Sequence, residues 1–120
     1  MGDRAIVYVK NGIDWAPCGV YVHWGGESIL DDLKKALSRM RCEDEEYSMA
    51  RLIGCLHEEI DGNTGLGVVG HPSDKEDIYN FSPGDAGVLV YDCGNGKVKL
   101  YDGYLRDKHG EEIEIGVPPE

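Results

Sequence analysis

An α+β fold, an antiparallel β-sheet with two helices packed on one face, is what the order of elements in this sequence predicts. Three observations carry it: strand-like runs come first, two helical periodicities follow between residues 28 and 62, and strand-like runs return after residue 62. Runs of like elements, rather than βαβα alternation, place helices on one side of an antiparallel sheet. At 120 residues, with 41% hydrophobic and 29% charged side chains and 17 glycines, the composition is that of one globular unit. The expectation is a single domain over residues 1–116 with a tail over 117–120, in the order β-β-α-α-β-β-β-β-β.

Residues 4–10 (RAIVYVK) hold the β-branched and aromatic content of a strand, and Asn11-Gly12 suits a turn. From Cys18 to Trp24 the pattern alternates, with Val20, Val22 and Trp24 on one face and Tyr21 and His23 on the other, until Gly25-Gly26 stops it. Ser28 is an N-cap residue with Asp31 three positions on. Ile29, Leu30, Leu33, Ala36, Leu37 and Met40 then recur at helical spacing, with Lys34, Lys35, Arg39 and Arg41 late in the segment. A second helix opens at Glu43 and ends before Asp61-Gly62-Asn63; its apolar residues cover most of the circumference, which predicts deep burial and a close neighbour at Gly54. Later strands are expected at 66–69, 78–81, 87–91, 97–101 and 112–115, with Gly94-Asn95-Gly96 and Lys108-His109-Gly110 as turns.

Twenty-three acidic against twelve basic side chains give a net charge of −11, which argues against direct contact with nucleic-acid phosphates and favours a basic protein surface as partner. No apolar run reaches membrane-spanning length and no secretion pattern opens the chain, so a cytoplasmic location without membrane association is expected. Cys18, Cys42, Cys55 and Cys93 contain no C-x-x-C pair, which points to reduced thiols rather than a zinc ribbon or a dithiol redox site. No cofactor is expected.

Four constellations carry candidate chemistry. His57-Glu58-Glu59-Ile60-Asp61 places His57 and Asp61 one helical turn apart, a spacing that lets both reach one metal ion, although a third ligand is not evident and Asp61 sits where the helix should end. Cys18 with His23 or His57 has the residue types of a thiol nucleophile and its base, but Cys18 enters a strand rather than a helix N-terminus. His23, Trp24, Gly25 and Gly26 put an imidazole and an indole beside a glycine corner and a helix start whose N–H groups attract anions. Finally, Glu43, Asp44, Glu45, Glu46, Glu58, Glu59 and Asp61 give the second helix seven acids against Arg51 alone. Carboxylates so grouped are suited to a cationic groove that otherwise takes phosphates.

Gly2-Asp3-Arg4-Ala5, Val20-Tyr21-Val22-His23-Trp24-Gly25-Gly26, Met49-Ala50-Arg51-Leu52-Ile53-Gly54 and Asp85-Ala86-Gly87-Val88-Leu89-Val90 together resemble small uncharacterised proteins of bacterial and bacteriophage genomes. The resemblance covers about the first ninety residues and brings no catalytic assignment; it implies an accessory or anti-defence setting. The reading is a small, non-enzymatic protein that binds a basic partner through its acidic helix. The alternative is a small-molecule-binding protein or metal-dependent enzyme centred on His23 and His57.

Overall fold

The computed structural model describes residues 3–16, 18–23, 26–38, 45–59, 66–70 and 85–116; within 45–59, side chains are described for 48–56. The elements are β1 (Ala5–Asn11), β2 (Asp14–Trp15), β3 (Cys18–Val22), a 3-10 turn (Gly26–Ser28), α1 (Ile29–Leu37), α2 (Glu45–Glu59), β4 (Leu66–Gly70), β5 (Gly87–Asp92), β6 (Lys97–Tyr101), α3 (Gly103–His109) and β7 (Glu112–Glu114). The fold is α+β. One sheet takes the seven strands in the order β4-β3-β1-β5-β6-β7, with β2 paired to the end of β1. The strand expected at 78–81 and the tail at 117–120 lie outside the described residues.

The sheet is mixed rather than wholly antiparallel, because β1 and β5 pair in parallel, Ala5 opposite Gly87 through Lys10 opposite Asp92. Both strands are buried on their two faces: Ala5, Val7 and Val9 of β1 face the helices, while Ile6 and Tyr8 belong to a second cluster on the opposite side with Val88 and Val90 of β5. Central strands covered on both sides need apolar residues at every position, as AIVYV and GVLVY have. The remaining pairs are antiparallel. Between Lys10↔Trp15 and Val7↔Val20 the pairing to β1 slips by two residues. The sequence at that slip holds Pro17, which has no N–H to give to a ladder.

α1 buries Ile29, Leu30, Leu33, Ala36 and Leu37 against the sheet and exposes Asp31, Lys34 and Lys35. It ends at Leu37, with Ser38 as its C-cap, and Ser28 makes no side-chain cap bond. Its hydroxyl donates instead to Asp32 Oδ2 at 3.1 Å. α2 packs Met49, Leu52 and Leu56 into the same core. Burial is one-sided rather than all round, since Ala50 and Gly54 are exposed. Among the described residues nothing lies within 4 Å of where a Cβ on Gly54 would stand, so none of them requires that glycine. Gly54→Ala should therefore stabilise the protein by about 1 kcal/mol through helix propensity alone. Urea unfolding should show a higher midpoint at unchanged slope, and a lower midpoint would mean that Gly54 does meet a neighbour.

α3 replaces part of the expected turn before β7. Leu105 is its only buried residue, so a seven-residue helix with one core contact left no apolar period to read. Gly110, at φ +89°, is its C-cap.

Candidate functional site

The strand registers bring the beginning of β1, the end of β3 and the beginning of β5 side by side, Ala5 lying opposite both Val22 and Gly87. The residues just outside those strands therefore meet at one end of the sheet. Asp3 N–H donates to His23 O at 3.0 Å, Gly26 N–H to Asp3 O at 2.8 Å, Ala86 N–H to Arg4 O at 2.9 Å, and Tyr104 N–H to Asp85 O at 3.0 Å. Thus β1, β3, the entry to α1, the entry to β5 and the start of α3 are tied together by backbone bonds.

Side chains complete the junction. Arg4 donates to Asp85 Oδ2 from Nε at 2.8 Å and from its backbone N–H at 3.1 Å. The Asp3 carboxylate accepts the Glu27 N–H at 2.8 Å and the Tyr104 hydroxyl at 2.5 Å. The anion at the start of the turn into α1 is thus supplied by the chain itself, in the place where the N–H groups of a helix entry attract negative charge. Tyr21 Oη lies 2.7 Å from His23 Nδ1, with the rings tilted at 47°. Gly26 packs so closely that a Cβ would come within 2.7 Å of Asp3 O and 2.8 Å of the Ala86 side chain.

These contacts set the local electrostatics. The Arg4 guanidinium holds the Asp85 carboxyl below the usual carboxylate range, first through its side-chain bond and then through the Arg4 N–H, with His23 adding a weaker pull. The same bond raises Arg4. Desolvation, and after it the bond to Asp3, pushes the Tyr104 hydroxyl up, so it remains a neutral donor well into the alkaline range. Because the Asp85 pKa is lowered on folding, its contribution is present above the ordinary carboxylate value and lost as pH falls through the lowered one. Asp85→Asn should therefore destabilise the protein at pH 7, with a penalty that shrinks below about pH 4. Denaturant unfolding at pH 7 and pH 3 checks this, and an equal penalty at both would exclude the ionised pair as its source.

Of the sequence-identified site residues, His23 and Gly26 stand at this junction, whereas Trp24, Gly25, Glu43, Asp44 and Asp61 lie outside the described residues. Glu45 and Glu46 are in the first turn of α2, and His57, Glu58 and Glu59 in its last, with side chains outside the description. Asp3, Asp85 and Tyr104 were not among the candidates. Three of the four segments behind the resemblance meet here, those beginning at Gly2, Val20 and Asp85, through Asp3, Arg4, Tyr21, His23, Gly26 and Asp85.

Chemically, the junction is a set of mutual partners, Arg4 with Asp85, Asp3 with Tyr104 and Tyr21 with His23. No buried side-chain nitrogen or oxygen among the described residues lacks a hydrogen bond. Cys18 and Cys55 are half-buried thiols and Cys93 a buried one. Among the described residues, no group of three or more His, Cys, Asp or Glu side chains is placed to hold a metal ion, and no helix is long and apolar enough to cross a membrane. Comparison with known proteins finds no match to any family model, curated protein or solved structure.

Proposed function

We propose that this protein acts by binding a basic surface of another protein, through carboxylates gathered at the two ends of α2. The observation that carries the reading is the single continuous helix over Glu45–Glu59. It holds Glu45 and Glu46 in its first turn and Glu58 and Glu59 in its last, about 20 Å apart at 1.5 Å per residue. Glu43, Asp44 and Asp61 add charge in the adjoining sequence, against Arg51 alone. Two anionic clusters at a fixed separation suit a groove shaped for phosphates, and their long-range field speeds encounter with a cationic partner. A cytoplasmic setting, and an accessory or anti-defence role against a nucleic-acid-binding host protein, belong to this same proposal. It requires no cofactor and no catalysis.

The test is a pull-down with tagged protein from nuclease-treated host lysate, washed at low and then high salt. Retention of one basic protein at low salt, released at high salt and absent when Glu43 to Glu46 are changed to Gln, supports the reading. Salt-independent retention by the Gln variant, or no specific partner, overturns it.

A second reading, a small-molecule site or metal-dependent enzyme around His23 and His57, draws on the contact between the Tyr21 hydroxyl and His23 beside the Arg4–Asp85 pair. Stoichiometric zinc after native purification, lost in His57→Ala, would favour its metal form.

A further inference from the structure

The face of the sheet turned away from α1 and α2 changes character along its strands. Its first rows are apolar, with Ile6 beside Val88 and then Tyr8 beside Val90. The next row alternates in charge across four strands: Lys10 lies opposite Asp92, Asp92 opposite Lys97, and Lys97 opposite Glu114. The Tyr8–Val90 row itself turns polar past β5, where Lys99 stands opposite Val90 and Glu112 opposite Lys99. A depression of about 250 Å³ opens at this boundary, lined by Lys10, Lys97 and Lys99 with Val90, Asp92 and Glu112, and with Asn95 at its turn end.

Three of the chain's twelve cationic side chains thus converge on one small site in a protein of net charge −11. Lys99 makes no ion pair among the described residues, and the Lys10 ammonium lies 5.6 Å from the Trp15 ring centre rather than on an acid. The two carboxylates of the site are already engaged. Glu112 pairs with Lys97 at 3.5 Å, and Asp92 Oδ1 accepts the Gly94 N–H at 2.8 Å and the Gly12 N–H at 3.4 Å. What the depression offers a ligand is therefore two ammonium groups and a third shared with Glu112, beside an Asp92 carboxylate that keeps its charge while backbone N–H groups hold its Oδ1, with the buried Val90 beneath.

We infer that this depression binds a small molecule through its phosphoryl group, with Lys10 and Lys99 as the principal contacts and Lys97 assisting. A doubly charged phosphoryl group supplies the several acceptor oxygens that converging ammonium donors need, and charge-assisted bonds of this kind exceed neutral ones in strength. The volume exceeds what a bare phosphate fills, so there is room above Val90 for the remainder of a small ligand. The site is on the opposite face from α2, and the inference does not depend on the acidic-helix proposal.

The test is an NMR titration of the full chain at low ionic strength with inorganic phosphate and, separately, AMP, following lysine side-chain and β5–β6 amide resonances. The expected result is saturable shifts confined to residues around 10, 90, 95, 97 and 99. AMP should bind more tightly than phosphate, and added salt should weaken both. The double variant Lys10→Gln/Lys99→Gln should lose about tenfold or more in affinity, Lys99→Arg should retain binding, and Lys34→Gln/Lys108→Gln, away from this face, should leave it unchanged. Equal AMP and phosphate affinities with the same lysine dependence would restrict the ligand class to free phosphate and overturn the part of the inference that concerns the room above Val90. Absence of saturable shifts in the folded parent protein, or an equal loss in the Lys34/Lys108 variant, overturns the site itself.

Discussion

Gly87→Ala should destabilise the protein by roughly 3 kcal/mol or more, because two costs fall on one residue: a positive-φ backbone for a side chain, and overlap with neighbouring main chain. Gly87 has φ +104°. A Cβ there would lie 2.1 Å from Asp102 O and 2.8 Å from Asp102 C. Both obstacles are backbone, so no rotamer change relieves them. The segment they belong to is itself constrained, since Asp102 is at φ 59° and Gly103 at φ +79°, its own Cβ position 2.4 Å from the Ala86 carbonyl. Where β5 starts and α3 begins, the two main chains touch. A loss of this size is a large share of the 5–15 kcal/mol that typically holds a domain together, so urea unfolding should show a much lower midpoint. A loss below about 1 kcal/mol would show that the α3 start moves aside at little cost, in keeping with its single buried residue.

The central places of β1 and β5 were legible in the sequence, although their parallel pairing was not and the order of elements pointed to an antiparallel sheet. AIVYV and GVLVY are apolar at every position, the signature of strands covered on both faces, whereas KVKLY alternates as a strand with one polar side does. Weighing that contrast would have placed the first two at the centre of the sheet. α1 and the Gly94-Asn95-Gly96 hairpin were readable for local reasons, helical spacing and turn chemistry, and both are found near their expected positions. The register slip between Trp15 and Val20 and the short α3 have little in the sequence to mark them, a single proline and a single leucine, too little for a periodic signal.

The junction around His23 was legible only in fragments. His23 and Gly26 were marked by the strand end and the glycine corner, but Arg4 and Asp85 are 81 positions apart, and Tyr104 meets Asp3 across 101. No local spacing links such pairs; the parallel register does. The lysine cluster has the same origin in part: Lys97 and Lys99 share a face by strand alternation alone, but Lys10 joins them only once β1, β5 and β6 are aligned.

Tyr8 and Gly19 should prove energetically coupled. Tyr8 is fully buried; its ring packs edge-on to Trp15 at 6.2 Å and its hydroxyl donates to Gly70 O at 3.2 Å, so the side chain reaches across β3 to β4. It crosses at Gly19. A Cβ on that residue would lie 2.6 Å and 2.7 Å from two ring carbons of Tyr8, and 3.0 Å from Val7 O. Tyr8→Ala alone should cost roughly 3–5 kcal/mol, as removal of a buried aromatic ring does, and Gly19→Ala alone roughly 1–3 kcal/mol through overpacking. In the Tyr8→Ala background the ring obstacle is gone and the new methyl faces the vacated space. The double variant should then be more stable than the sum of the single losses allows, by a coupling of about 1–2 kcal/mol. Urea unfolding of the four proteins measures that term. Strict additivity would show that the Val7 carbonyl, and not the tyrosine ring, is what keeps residue 19 a glycine.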